Sequence, residues 1–390
     1  MAKQADGRAL RRLAGQFRIW LKTERKPEVL DALLALSDDE LSDFAFDQPD
    51  CVATSTVRAL IDRSYEKRGN NPPLMITLGR LATRVAEMAW LIYHDDDLVR
   101  GDAWRQYSAA LAGSGEYYAA SEACEVAEAL YLPVTSHDPA YQRALLALTR
   151  GHALYYLGRA EEALLLIDEA ARVLRPLNKS KYVTARTTYA AFLLESGSIK
   201  AAAAIFLETE TLAREVGDSE AVAYIIGNIG GCYARLGMLP QAREYIGRAI
   251  KEYERLGLKT YVLNRRRNLV RVLIQEGKFN LAVAELFDIR RAFLELGMPV
   301  VAADTGLWLV DVLYLANRTS QVPSLCEELI KVFRDKKLPD EAAKALAYLN
   351  SSMTRGVQRS DVRFVREFMT SLEANAGAVF NPPSPMGPAD

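Results

Sequence analysis

The sequence predicts an all-α solenoid of stacked antiparallel helix hairpins, and three observations carry that prediction. Residue types return in steps of forty: Gly197, Gly237, Gly277 and Asn317 form one column, Ala202, Ala242, Ala282 and Val322 a second, and Phe206, Ile246, Leu286 and Cys326 a third. Within each step, apolar residues recur at three- and four-residue spacing, the period of a helix with one buried stripe, and no stretch reads as a strand. Finally, 390 residues, half of them hydrophobic, exceed what one globular core usually holds. A solenoid escapes that ceiling because it grows along one axis.

Residues 1–73 depart from the step and are expected to form a helical cap. The first twenty-six carry Lys3, Arg8, Arg11, Arg12, Arg18, Lys22, Arg25 and Lys26 against only Asp6 and Glu24, with Phe17, Trp20 and Leu21 on the other side. Such a basic amphipathic helix suits a cap that buries its apolar face and leaves its cations in water; membrane-surface or nucleic-acid contact is the alternative. Leu30, Leu33 and Leu34 form one apolar cluster, and Leu41, Phe44 and Phe46 another. Val57, Leu60 and Ile61 mark a third helix, which leads into a link at Arg68-Gly69-Asn70-Asn71-Pro72-Pro73.

Residues 74–374 are assigned to the solenoid. A long apolar helix over 74–93 is expected to pair with the first clear repeat, and a helix is expected to begin near Asp102. In the best-marked unit, Ile226, Ile229, Gly230 and Tyr233 stripe the first helix, Leu236-Gly237-Met238 turns the chain, and Ala242, Tyr245, Ile246 and Ala249 stripe the second. Small residues at Gly230 and Ala242 let the two backbones approach; Leu at 242 would overpack the crossing by roughly 1–3 kcal/mol. Val216-Gly217, Leu256-Gly257 and Leu296-Gly297 fit left-handed helix C-caps. Leu193, Tyr233, Leu273 and Leu313 make a further core column, and Thr188, Asn228, Asn268 and Trp308 a surface row. Residues 375–390, rich in Pro, Gly and Ala, read as a disordered tail.

These residues resemble the tetratricopeptide repeat family. Trp104, Tyr107, Leu111, Gly115, Tyr117, Ala120 and Ala127 match its pattern best; Gly151, Leu154, Gly158, Ala163 and Ala170 follow, then units centred on Gly197, Gly237, Gly277 and Asn317. The resemblance covers about residues 75–375 and implies a right-handed superhelix whose first helices line a concave groove. The spacing is nearer forty than the family's thirty-four, so longer helices are expected, in a style similar to the repeat domains of bacterial peptide-sensing regulators and large signalling ATPase regulators.

The chemistry-bearing residues exclude more than they suggest. Forty-nine Lys and Arg balance fifty Asp and Glu, so no global field draws the chain toward nucleic acid or anionic lipid. Cys51, Cys124, Cys232 and Cys326 lie far apart and read as buried thiols; with no signal-like N-terminus and no span-length apolar run, a cytoplasmic protein is expected. His94, His137 and His152 fall in different units without ligand spacing. His94-Asp95-Asp96-Asp97 reads as a solvated turn rather than a metal site, and Ile229-Gly230-Gly231-Cys232 as packing or open groove rather than a phosphate loop. No catalytic signature, metal site or cofactor motif is found, and no helix-turn-helix opens the chain.

The functional signal is polar. Stepping by forty along the first helices gives three rows: Thr184, Tyr224, Asn264 and Asp304; Thr188, Asn228, Asn268 and Trp308; Ala191, Gly231, Arg271 and Asp311. Asn264, Arg267, Asn268, Arg271 and Gln275 share one face opposite Leu263, Leu269, Val270 and Leu273, while Arg265 and Arg266 sit off it and are expected in solvent or in end-on contacts. Carboxamides pair with peptide backbone, arginine forks onto carboxylate, and Tyr224 and Trp308 offer flat apolar area. Asn is a mediocre helix former, so its recurrence there points to recognition. The candidate site is therefore Tyr224, Asn228, Arg235, Asn264, Arg267, Asn268, Arg271, Asp304, Trp308 and Asp311. The family's carboxylate clamp for chaperone tails is not reproduced: Arg105, Ala109 and Thr149 stand at its places, and Asn228, Arg267 and Asn268 supply only part of it. The expected function is a non-enzymatic adaptor holding a protein segment or peptide in the groove, with no cofactor. The alternative is a peptide-sensing regulator of a separate effector.

Overall fold

The forty-residue step resolves into pairs of seventeen-residue helices joined by three-residue corners. The computed structural model describes residues 7–94, 97–134, 139–334, 345, 347–349, 358–374 and 380–381, and no described residue lies in a strand. The helices are α1 Gly7–Thr23, α2 Glu28–Leu34, α3 Asp38–Asp47, α4 Thr54–Lys67, α5 Pro72–Tyr93, α6 Asp97–Gly113, α7 Tyr117–Tyr131, α8 Pro139–Tyr156 and α9 Ala160–Leu177. They continue as α10 Lys179–Glu195, α11 Ile199–Glu215, α12 Ser219–Arg235, α13 Leu239–Arg255, α14 Lys259–Gln275, α15 Phe279–Glu295, α16 Pro299–Leu315, α17 Val322–Arg334 and α18 Arg359–Ala374.

From α10 to α16 every corner has the same chemistry. Its middle residue, Gly197, Gly217, Gly237, Gly257, Gly277 or Gly297, has φ between 69° and 91°, and Asn317 follows at 57°. At Gly237 the amide of Met238 donates to the Tyr233 carbonyl at 2.9 Å and that of Gly237 to Ala234 at 3.2 Å, the two bonds of a Schellman cap. The same pair recurs at Gly257 and Gly277. Turns within hairpins and turns between them are thus one device, which is why the period is so regular.

The chain divides into two compact units, residues 1–155 with 159–185, and residues 156–158 with 186–390. In the first, α1 to α4 share one core with α5 and α6: Leu10, Phe17, Trp20, Leu30, Leu33, Leu41, Phe44, Val57 and Leu60 meet Leu78, Leu81, Val85 and Ala103. Two cations of α1 face acids of neighbouring elements, Arg18 forking onto Asp50 at 2.6 and 2.7 Å and Arg11 facing Asp47 at 3.7 Å. Lys3 and Asp6 lie outside the described residues.

Two expectations need correction in this unit. Phe46 is 66% exposed, because it stands two residues from Phe44 on one helix and cannot share its face; Ala45 takes the inner place. The helix expected near Asp102 begins at Asp97, whose carboxylate pairs with Arg100 at 2.6 Å. His94 ends α5 in a left-handed conformation (φ 49°), while Asp95, Asp96 and His137 lie outside the described residues. His152, on α8, packs its ring 6.3 Å from Tyr117, and burial pushes its pKa down to about 4. The native state therefore favours the neutral ring. Its contribution is intact above the ordinary value near 6.5 and is lost as pH falls toward 4. His152→Gln should flatten the acid limb of a stability-versus-pH curve; an unchanged slope would contradict this.

In the second unit the Ala202 and Phe206 columns are buried throughout, whereas Leu193, Tyr233 and Leu273 are half-buried and only Leu313 of that column is fully enclosed. All four cysteines are buried and free, and desolvation raises each thiol, to about 11 for Cys51, Cys124 and Cys232 and about 12 for Cys326. Of the tail expected over 375–390, Phe380 and Asn381 are described and the rest lies outside the described residues. Phe380 corrects that expectation at its own position: it is buried, with ring centroids 4.8 Å from Phe368 and 5.5 Å from Phe364.

Two adjacent glycines of α12 make a paired test. A Cβ at Gly230 would stand 2.8 Å from Ile246 Cγ1 and 3.0 Å from the Ile246 backbone nitrogen, so that glycine sets the α12–α13 approach. At Gly231 a Cβ would meet only Leu194 Cδ2, at 3.6 Å. Gly230→Ala should destabilise by roughly 1–3 kcal/mol and Gly231→Ala stabilise by about 0.5–1 kcal/mol, read from urea midpoints. Equal effects would contradict the packing.

Candidate functional site

The first helices of the second unit, α10, α12, α14 and α16, are cross-linked by polar contacts that obey the repeat. Arg235 donates to the Leu194 carbonyl across 41 residues. Arg265 Nη1 donates to Asn228 Oδ1 at 3.0 Å across 37, and Arg267 Nη2 to Asp304 Oδ2 at 2.5 Å across 37. The guanidinium of Arg265 lies 5.2 Å from the Tyr224 ring centroid, and those of Arg267 and Arg271 lie 5.8 and 5.6 Å from that of Trp308. Separations of 37 and 41 differ by one helical turn and bracket forty. Residues one repeat apart are therefore neighbours, and each long side chain reaches the turn above or below its counterpart.

Within this face the candidate residues fall into two groups. Asn264 and Arg271 are exposed and Asn268 is half-buried; among the described residues, neither carboxamide has a hydrogen bond, and Arg271 has neither a hydrogen bond nor an ion pair. Tyr224 and Trp308 are half-buried beside them, and desolvation raises the Tyr224 hydroxyl's pKa. These side chains keep unspent capacity.

The others are already engaged. Arg267 and Asp304 neutralise each other. Asn228 spends its oxygen on Arg265, leaving its Nδ2 buried without a partner. Asp311, expected on the face, is 7% exposed and is gripped by Arg359 Nε at 2.7 Å and Arg366 Nη1 at 3.0 Å of α18, so it ties the terminal helix to α16.

Of the two places expected for Arg265 and Arg266, solvent or end-on contacts, solvent is ruled out for Arg265 by its burial. Arg266 forks onto Glu285 of α15 at 2.5 and 3.0 Å. Arg265 is only 8% exposed and runs into the space left by Gly227, where a Cβ would come within 2.8 Å of its Cδ. It has no carboxylate partner among the described residues, and its Nε is buried without an acceptor. A buried cation so placed is costly unless something compensates it.

Glu195, at the last turn of α10, went unnoticed in the sequence although one repeat step from Arg235 lands on it. It accepts from the Tyr156 hydroxyl at 3.3 Å; desolvation raises its pKa, opposed by that bond and by the charges of Arg235 and Arg271. Arg271 is shifted the other way from a paired arginine: desolvation lowers its pKa, and the positive charges of Arg267 and Arg235 lower it further against Asp304 and Glu195. Around Arg271 the positive charges of Arg267 and Arg235 are thus opposed by the carboxylates of Asp304 and Glu195. Among the described residues no group of three His, Cys, Asp or Glu side chains is placed to hold a metal ion, and no helix is long and apolar enough to cross a membrane.

No family model matches the chain, and no curated protein matches it. Among solved structures it is similar to aspartyl phosphate phosphatase F from Bacillus subtilis, at 12% identity and a TM-score of 0.51, covering 99% of this chain and 100% of that one. It is also similar to the Rap conjugation gene regulator of plasmid pLS20, solved with the Phr* peptide, at 14% identity and a TM-score of 0.50 over 94% and 95% of the two chains. A third is a signal-transduction ATPase with a tetratricopeptide-repeat sensor from Pyrococcus horikoshii, at 13% identity and a TM-score of 0.50; there the match spans 96% of this chain and 53% of the ATPase. At these identities the likeness is one of fold: the chain has the all-α helical-repeat fold of these structures.

Proposed function

We propose that the chain is a non-enzymatic binding protein that holds an extended peptide or partner segment along α12, α14 and α16. The observation that carries this reading is the set of side chains with no hydrogen bond or ion pair among the described residues on one face, Asn264, Asn268 and Arg271, flanked by the rings of Tyr224 and Trp308. Free carboxamides both donate to and accept from a peptide backbone, and half-buried aromatic rings supply contact area at little entropic cost. Nothing in this group forms a nucleophile–base pair. The peptide-bound conjugation regulator of the same fold supports the second reading, in which the captured peptide biases the stack and the output is carried by a separate effector.

The test uses the full chain as bait, identifies what it retains, and maps the purified complex by hydrogen exchange. Protection concentrated on α12, α14 and α16 supports the proposal. Protection confined to the first unit or to α13 and α15 overturns it.

A further inference from the structure

Between α11 and α13 the repeat departs from its own pattern. These two helices and the first half of α12 line a cavity of about 510 Å³ that shares no residue with the candidate face. Its floor is aliphatic, made of the buried side chains of Ala213, Val222 and Ile226. Its rim is basic: Arg214, Arg248, Lys251 and Arg255 line it together with one carboxylate, Glu252. Arg214 pairs with Glu210 of its own helix at 2.7 Å and Arg255 with Glu252 at 3.0 Å. The guanidinium of Arg248 lies 4.9 Å from the Tyr245 ring centroid, and neither Arg248 nor Lys251 has a hydrogen bond or ion pair among the described residues.

The forty-residue step shows that the fold does not require this cavity. Ala213 belongs to the column of Tyr253 and Phe293, both fully buried rings, and the space opens where that column lacks its ring. Ile226 stands where the units before and after carry Arg186 and Arg266, so the floor is apolar where its counterparts are charged. The rim changes sign in the same place: the counterparts of Arg248 are Glu208 and Asp288, and those of Arg255 are Glu215 and Glu295. A packing defect alone would alter volume and leave charge as it was. Volume, floor polarity and rim charge change together.

From this arrangement we infer that the cavity is a second binding site, and that its ligand is a small phosphate monoester with an aliphatic body. The body lies on Ala213, Val222 and Ile226, and the head meets Arg248 and Lys251, one turn apart on the same face of α13. A phosphate monoester offers three strong acceptor oxygens and close to two negative charges, enough to engage a guanidinium fork and an ammonium at once, whereas a single fork already occupies a carboxylate. No aromatic side chain lines the cavity among the described residues, so nothing there stacks a nucleobase. The volume falls in the range of small-molecule sites. The same chemistry is supplied by a soluble alkyl phosphate or by the head and first methylenes of a phosphatidic acid lipid.

The test titrates the full chain calorimetrically with octyl phosphate, octanoate and inorganic phosphate, and floats it with phosphatidylcholine vesicles carrying or lacking phosphatidic acid. Octyl phosphate should bind at least about tenfold more tightly than inorganic phosphate, because only the former covers the aliphatic floor. Arg248→Asp combined with Lys251→Ala should abolish that binding; both side chains are exposed and unpaired, so the variant's circular dichroism should match the parent. Ala213→Phe, which returns a ring to the column, should weaken binding by about tenfold, and if it fails to fold the rim variant decides alone. Retention on phosphatidic acid vesicles without binding of octyl phosphate, lost in the rim variant, identifies the lipid head as the source. Equal affinity for octyl and inorganic phosphate overturns the aliphatic body, and octanoate binding as tightly as octyl phosphate overturns the phosphate head. Binding unchanged in the rim variant, or no binding of any of the four, overturns the site. None of these results bears on the peptide-binding reading.

Discussion

Phe293→Ala is expected to lower the stability of the second unit by about 3–5 kcal/mol, the largest effect of a single side chain on its fold. Phe293 sits on α15 with no exposed surface, in the core formed with Val270, Leu286, Ile289, Ala302, Val310 and Leu313. These residues come from α14, α15 and α16, so the ring is part of the core behind the two first helices of the candidate face. Each repeat touches only its neighbours, and a cavity there has no distant contacts to compensate it. Urea denaturation followed by circular dichroism reads the loss as a fall in midpoint. A change below about 1 kcal/mol would mean that α15 does not hold α14 against α16.

The double substitution Asn268→Ala with Arg271→Ala is expected to weaken capture of the partner by about 100-fold, about 2.7 kcal/mol, while leaving the melt unchanged. The two parts of that expectation come from the same fact. Neither side chain has a hydrogen bond or ion pair among the described residues, so folding loses little beyond the stacking of Arg271 on Trp308, which the better helix propensity of alanine offsets. A bound segment, in contrast, loses a carboxamide and a guanidinium that sit one turn apart on α14. Capture at the parental level would discard the site. A lowered melting temperature would show that these residues serve the fold.

The fold was legible because the chain repeats one structural device with little variation. Every corner between seventeen-residue helices needs a residue at positive φ, and glycine or asparagine meets that need at Gly197, Gly217, Gly237, Gly257, Gly277, Gly297 and Asn317. Side-chain volume at the helix crossings is equally constrained, which is why Ala202, Ala242 and Ala282 align. The face was legible in part: the step of forty pairs Asn268 with Trp308 and Asn264 with Asp304, and the contacts at 37 and 41 residues follow from it.

What periodicity could not show depends on pairings outside the period. Asp311 looked like the continuation of the Gly231–Arg271 row, but its partners Arg359 and Arg366 lie on α18, beyond the last regular corner. Arg265 falls off the polar stripe by helical geometry, which points to solvent or an end-on contact. Its burial depends on an absence, the missing side chain of Gly227 on the preceding first helix, which a wheel drawn for α14 alone does not contain. Phe380 is held by Phe364 and Phe368 within a stretch whose composition otherwise argues against order.

The stacking of first helices at forty-residue steps underlies the proposed site and its binding experiments, and a double-mutant cycle on Arg267 and Asp304 tests it most directly. The pair is three-quarters shielded from water and 37 residues apart in the chain, so its coupling exists only if α14 and α16 are vertical neighbours. Urea denaturation of Arg267→Ala, Asp304→Ala and the double variant should give a stabilising interaction energy of about 0.5–1 kcal/mol, shrinking with added salt. Strict additivity of the two single changes would contradict the stacking and, with it, the proposed site.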